Sequence, residues 1–172
     1  MAKQINKLLN ANIYLDNKSW AGRADEIELP ILKYLFAEHK PLGQFGTTSY
    51  PGGADQMEAK IKWNGPYPEV QKRMANPFKA LKLMARGSMD VYEGSDRVAE
   101  QPYVCYITGN SKSLPMGTLK QNDNAEFESE LSVSYVKLEI NNELIMEFDA
   151  ENNILMVDGV DLLKEWRQNL GL

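Results

Sequence analysis

The most regular feature of this chain is an alternation of polar and apolar residues over residues 56–63. Successive side chains of a β-strand point to opposite faces, so a period of two gives each face a uniform character. The apolar set is Met57, Ala59, Ile61 and Trp63, and the polar set is Gln56, Glu58, Lys60 and Lys62. The pattern therefore predicts a strand with one buried face and one face in water.

Turn-forming residues mark two hairpins. Asp16-Asn17-Lys18 separates residues 12–15 from 19–22, and Asn141-Asn142 separates 125–140 from 144–148. Asp and Asn tolerate the left-handed backbone conformation that tight hairpin turns require. Within 125–140 the apolar residues change from odd to even positions. That change predicts a strand that bends or bulges midway.

The segments before and between these features have other patterns. Residues 1–12 are expected to form an extended arm, and 26–29 and 31–38 are expected to form short strands. Residues 41–53 are rich in Gly, Pro, Ser and Thr. We therefore expect a long mobile loop there, with Phe45 and Tyr50 as its apolar tips.

Two short helices are expected, and prolines and a glycine set their limits. The first lies between Pro66 and Pro77, and the second contains Leu162, Leu163, Trp166 and Leu170 and ends at Gly171. The other regular segments are predicted to be strands. The chain is thus expected to be mainly β, a β-sandwich or barrel with one mid-chain helix and one C-terminal helix.

Length and composition fit one folded domain over residues 1–172. With 43% hydrophobic and 25% charged residues, the chain is typical of soluble globular proteins. Its size suffices for a core without disulfides or zinc. The sequence has neither the apolar stretch of a secretory signal nor a run of about 18 apolar residues, so we expect no membrane anchor. The net charge of −5 opposes binding to nucleic-acid phosphates.

No group of residues has the pattern of an enzyme site. Cys105 lies in an apolar, aromatic run typical of a buried position, and His39 lies in a polar stretch. One Cys and one His are too few for a zinc cluster. Glu126, Glu128 and Glu130 alternate along one strand face, which favours a solvated face over a calcium site or an acid–base pair. We expect no catalytic residue, no metal and no cofactor.

The C-terminal sequence resembles the end of a known structural family. Val157-Asp158-Gly159-Val160-Asp161 leads into a short helix that ends in Leu170-Gly171-Leu172, as in the major tail tube proteins of contractile-tailed bacteriophages and of R-type pyocins. Similar stretches occur in the same order along the chain: 12–22, 27–30, 57–60 with 64–65, and 132–138 before 147–149. The resemblance covers nearly the whole chain. Residues 110–124 depart from the family pattern, and 36–50 match it only in character.

The resemblance implies a tail tube fold whose strands join those of neighbouring subunits into a ring-shaped barrel. Hexameric rings of such subunits stack into a hollow tube inside a contractile sheath, in a virion tail assembled in the bacterial host cytoplasm. The implied partners are other copies of the chain, the tail sheath protein, baseplate and hub proteins, the tail terminator protein and a tape measure protein in the lumen. DNA is expected only in passage.

Three sets of residues are expected to face these partners. Gln56, Glu58, Lys60 and Lys62 are predicted to line the lumen, because a wet strand face suits a water-filled channel. Phe45 and Tyr50 are predicted to contact the adjacent ring, from an inter-ring loop at 41–53. The residues predicted to face the sheath are Lys164, Glu165 and Arg167.

Other functions remain open at this point. A type VI secretion tube protein shares the ring architecture, and a monomeric ligand-binding or carbohydrate-binding β-sandwich has a similar composition. A hydrolase with strand-borne carboxylates is the enzymatic alternative. The assembly state separates the tube proteins from the monomeric alternatives.

Overall fold

The alternating, turn-rich sequence folds mainly into antiparallel strands. The computed structural model describes residues 3–119, 121 and 125–172. The strands are β1 (Gln4–Leu15), β2 (Lys18–Ser19), β3 (Ala24–Glu28), β4 (Tyr34–His39), β5 (Thr48–Ala54), β6 (Met57–Trp63), β7 (Leu81–Glu93), β8 (Asp96–Ser111), β9 (Phe127–Ile140), β10 (Glu143–Asp149), β11 (Ile154–Val157) and β12 (Val160–Asp161). The helices are α1 (Pro68–Met74) and α2 (Lys164–Asn169). The prediction of a mainly β chain with two short helices is confirmed.

Most strands belong to one antiparallel sheet, in the order β12-β11-β10-β9-β8-β7-β1-β2. A further limb, β3-β6, joins this sheet because β6 pairs with residues 127–133 of β9. Residues 135–140 of β9 pair with β10 instead. Ser134 falls between the two pairings, where the register with β8 shifts. A bulge at this point therefore redirects β9, which confirms the bend or bulge predicted from the change of apolar phase.

The sheet curls around an apolar core. The rings of Trp20, just after β2, and Trp63, at the end of β6, meet edge to face with centroids 5.8 Å apart. Helix α1 covers the core with the buried side chains of Val70 and Met74. Over the described residues the sheet stays open, with β2 and β12 at its ends. The described residues therefore do not close a barrel by themselves.

Paired residues in the left-handed conformation form the predicted hairpin turns. Asp16 and Asn17 have φ of 48° and 67° between β1 and β2, and Asn141 and Asn142 have φ of 53° and 63° between β9 and β10. Two successive positive φ angles match the right-handed twist of the flanking strands. Both predicted hairpins are confirmed, although β2 ends at Ser19 because Trp20 turns into the core.

Two predicted segments differ from the structure. The arm expected at 1–12 is, over its described part, the first part of β1, which pairs with β7 from Gln4 onward. The loop expected at 41–53 is wrong beyond residue 47, because Thr48–Ala54 forms β5 and pairs with β4. Pro51 and Gly52 are tolerated there because β5 belongs to a two-stranded ribbon and Gly52 lies at a bulge. Residues 120 and 122–124 of the divergent stretch lie outside the described residues.

Candidate functional site

The polar side of β6 is the centre of a charged surface that spans three strands. Strand register places Lys62 between Glu26 of β3 and Glu128 of β9. It likewise places Lys60 between Glu28 and Glu130. The surface, here called the charged face, consists of Glu26, Glu28, Glu58, Lys60, Lys62, Glu128 and Glu130, with Gln56 and Ser132 at one end. Sequence reasoning therefore identified its central strand, and the fold supplies the flanking glutamates.

Ion pairs connect the side chains of the charged face. Lys62 Nζ lies 3.2 Å from Glu26 Oε2. Lys60 Nζ lies 3.4 Å from Glu130 Oε1 and 3.7 Å from Glu128 Oε1. Hydrogen bonding to Glu130 and Glu26 raises the pKa values of Lys60 and Lys62, respectively. Lys62 thus links β6 to β3, and Lys60 links β6 to β9.

Two polar contacts hold one end of the charged face, where Gln56 and Glu58 lie. Lys112, which follows β8, pairs with Glu58, and this hydrogen bond lowers the pKa of the Glu58 carboxyl. The side-chain amide of Gln56 donates to Ser132 Oγ at 3.0 Å. Lys112 lies in the divergent stretch of the sequence and was not predicted to belong to the site, because its pairing depends on tertiary contact with β6. These contacts fix the side chains at the Gln56 end of the charged face.

The charged face has an excess of negative charge. Its three strands contribute five glutamates and two lysines, and Lys112 adds one cation. The opposite side of β6 is buried in the core, where Trp63 Nε1 donates to Ser129 Oγ at 3.0 Å. Strand β6 thus separates the apolar core from a solvent-exposed surface with a net negative charge.

The ribbon formed by β4 and β5 is rich in exposed apolar side chains. Its strands carry Tyr34, Leu35, Phe36 and Tyr50, each of them about half exposed. The turn between the strands carries Leu42 and Phe45, whose exposures of 104% and 110% show that neither touches the rest of the chain. The structure therefore places Phe45 at a solvent-exposed tip and Tyr50 on β5, where its ring lies 6.0 Å from that of His39.

The predicted C-terminal residues occupy two different environments. Lys164 and Glu165 are exposed. Arg167 is partly buried, with its guanidinium paired with Asp161 and donating to the carbonyl of Asn153 at 2.7 Å. Hydrogen bonding to Arg167 lowers the pKa of the Asp161 carboxyl. Helix α2 has no buried residue, and Trp166 is 48% exposed. The chain itself thus leaves the apolar side of this helix uncovered.

Two groups with reactive chemistry lie apart from one another and from the charged face. Cys105 is 3% exposed on β8, and burial raises the pKa of its thiol to about 11. His39 lies on the exposed ribbon. The described residues include no cluster of three or more His, Cys, Asp or Glu side chains suited to hold a metal ion. None of the described helices is long and apolar enough to cross a membrane.

Two strand edges lack a partner strand within the described part of the chain. Before Ile13, β1 pairs with β7 on one side, and the described residues provide no strand for its other side. The outer edge of β3 is also unpaired within the described part of the chain. Unpaired backbone N–H and C=O groups are suited to hydrogen bonding with a strand of another chain.

Comparison with known proteins points to one family. The family model described as phage tail tube protein FII matches residues 5–171. A tail tube protein of Escherichia phage P2 is 26% identical to the chain over 170 residues, which is 96% of this chain and 97% of the relative. The similarity thus covers the charged face, the ribbon and both helices.

Proposed function

Because the chain belongs to the phage tail tube protein FII family, we propose that it forms stacked hexameric rings, which build the inner tube of a contractile tail. Members of this family are structural proteins of the virion tail and not enzymes, and they assemble into a tube with other tail components. The ring size and the contractile type go beyond the family assignment. They follow the resemblance of the C-terminal motif to contractile tails and pyocins.

The main support for the proposed position of the channel is the charged face. Gln56, Glu58, Lys60 and Lys62 line the lumen in this proposal, together with the glutamates of β3 and β9. A sheet face that is polar over three strands and buries its other side suits the inner wall of a water-filled barrel. Its negative excess keeps the phosphates of passing DNA from adhering.

The open edges and exposed apolar residues support the proposed contacts between subunits. Strands of adjacent subunits pair along β1 or β3 to close the ring, which satisfies backbone groups that the single chain leaves unpaired. The ribbon, with Phe45 and Tyr50, reaches the adjacent ring. Lys164, Glu165 and Arg167 face the tail sheath protein, although the pairing of Arg167 with Asp161 leaves it fewer free donors. Baseplate, hub, terminator and tape measure proteins complete the set of partners.

The direct test of this proposal is the assembly state of the purified chain. Size-exclusion chromatography with light scattering, followed by negative-stain electron microscopy, should show rings of six or hollow tubes. Seed tubes or baseplate are added if the chain stays monomeric, because nucleation can depend on them. A chain that remains monomeric at high concentration with seeds contradicts the proposal and favours a monomeric ligand-binding protein.

The placement of the charged face is tested by cysteine accessibility in assembled tubes. Gln56→Cys is compared with Lys164→Cys, each treated with a small maleimide and with a maleimide coupled to a long polymer. Cys105 is not expected to react because it is buried. A lumen position should react with the small reagent and resist the large one, whereas Lys164→Cys should react with both unless sheath covers it. Equal reaction of Gln56→Cys with both reagents overturns the placement.

A further inference from the structure

The base of the ribbon forms an apolar groove with the C-terminal hairpin. One wall consists of Tyr34 and Phe36 of β4, and the other consists of Phe148, Leu155, Leu162 and Leu163. The groove has a volume of about 480 Å³. This is within the usual range of pockets that hold a small ligand or a large side chain.

Hydrogen bonds hold the C-terminal wall of the groove in place. The backbone N–H of Leu162 donates to the carbonyl of Leu155 at 2.8 Å, and that of Leu163 donates to Asp161 Oδ1 at 3.1 Å. Asp161 is in turn paired with Arg167 of α2. Phe148 is buried against the core. This wall of the groove is therefore already formed in the single subunit.

The opposite end of the same ribbon carries the apolar side chains that such a groove would accept. Leu42 and Phe45 stand free of the rest of the chain at the turn between β4 and β5. Exposing large apolar side chains to water costs free energy. Burying Leu42 or Phe45 in an apolar site would therefore stabilise the assembly that buries it. Strand β4 has six residues, so the tip lies roughly 20 Å from the base. The tip therefore cannot fold back into its own groove.

We propose that the ribbon tip of one subunit, with Phe45 as its main contact and Leu42 beside it, binds in the groove at the ribbon base of another subunit. Donor and acceptor sites lie at opposite ends of one element, so the contact is head to tail. Such heterologous contacts generate rings where the rotation between subunits closes and extended assemblies where it does not. The inference rests on the proposed self-assembly and names the surface that receives the ribbon.

Cross-linking between two populations tests this contact directly. One population carries Phe45→Cys, the other carries Leu162→Cys, and the two are mixed, assembled and oxidised. A disulfide between the populations is expected, because a cross-link of this kind forms only between copies. Phe45→Cys mixed with Phe78→Cys is the matched control, since Phe78 is also exposed but lies on the loop after α1. Equal cross-linking with Phe78→Cys, or none with Leu162→Cys in assembled tubes, overturns the contact.

Assembly of side-chain variants gives an independent measurement. Phe45→Ser and Leu162→Ser should each raise the concentration needed for assembly by about tenfold or more, whereas Phe45→Leu should raise it much less. Both positions are exposed in the subunit, so the variants are expected to fold. If wild-type tubes form and Phe45→Ser assembles equally well, the contact is wrong and the tube function stands. If the wild-type chain never assembles, the proposed function fails first.

Native mass spectrometry that finds a small apolar molecule bound to the subunit assigns the groove to that molecule and contradicts the contact.

Discussion

The guanidinium of Arg73 in α1 and the carboxylate of Asp16 in the β1–β2 turn are joined across the fold. Arg73 Nε lies 2.6 Å from Asp16 Oδ2, and Arg73 Nη2 donates to the carbonyl of Ala80 at 2.7 Å. The other oxygen of Asp16 accepts from the backbone N–H of Lys82 at 3.2 Å. The pair therefore connects a turn, a helix and the start of β7.

Removing this pair should destabilise the subunit. Arg73→Ala is expected to lower the free energy of unfolding by about 1–2 kcal/mol, since it leaves a partly buried charged hydrogen-bond network incomplete. Asp16→Asn should cost less than Asp16→Ala, because Asn still tolerates the positive φ at this position. Urea unfolding of unassembled subunits measures these changes. Lys72→Ala, at an exposed position of the same helix, is the control, and a loss as large as that of Arg73→Ala would contradict this role.

The hydrogen bond between Trp63 and Ser129 gives a second stability prediction. Both residues are buried, so Ser129→Ala leaves the indole N–H without an acceptor away from water. We expect the free energy of unfolding to fall by about 1–3 kcal/mol. Ser132→Ala, which removes a contact at the exposed end of the charged face, should have a smaller effect in the same urea experiment. Equal losses for the two variants would show that burial of this bond is unimportant.

The buried thiol of Cys105 predicts a loss of stability in alkaline solution. Burial raises its pKa from 9.0 to about 11, so the folded chain keeps a proton that the unfolded chain releases. The contribution is therefore fully present below about pH 9 and is lost as the pH rises toward 11. The free energy of unfolding should fall by up to about 1.4 kcal/mol per pH unit in this window from this group. The difference between wild type and Cys105→Ala isolates the effect, and parallel pH profiles would refute it.

Much of the local structure could be predicted from the sequence, because it depends on residues that are close along the chain. The alternation around Lys60 fixes both faces of β6, and Asn141-Asn142 supplies the backbone angles of its hairpin. The change of apolar phase near Ser134 marks the bulge that redirects β9. Each of these signals depends on residues that are close in sequence, and the structure contains the strand, turn and bulge that they predict.

Long-range pairing was harder to predict. Strand β5 has Pro and two Gly residues, which are typical of loops, and its pairing with β4 is allowed by a bulge at Gly52. The pairing of Lys112 with Glu58 joins residues far apart in sequence. The pair of Arg73 and Asp16 likewise depends on how α1 packs. The sequence pattern identifies such side chains as polar, but it does not identify their partners.

The charge balance of the charged face predicts how the tube interacts with DNA. Replacing Glu26, Glu128 and Glu130 by Gln leaves two glutamates, Glu28 and Glu58, against Lys60, Lys62 and the neighbouring Lys112. Tubes assembled with a short DNA duplex should then retain it at low salt and release it as the salt concentration rises, whereas wild-type tubes should not retain it. Co-sedimentation with labelled duplex measures the retention. The control carries the same charge change at Glu143, Glu151 and Glu165, and equal retention by that control would contradict a lumen location.

An electron cryomicroscopy map of assembled tubes tests the central claim most directly. The account predicts hexameric rings in which Glu58, Lys60 and Lys62 of every subunit face the central channel and the core side of β6 faces the body of the subunit. A map that shows these three side chains on the outer wall, or buried between rings, would contradict it.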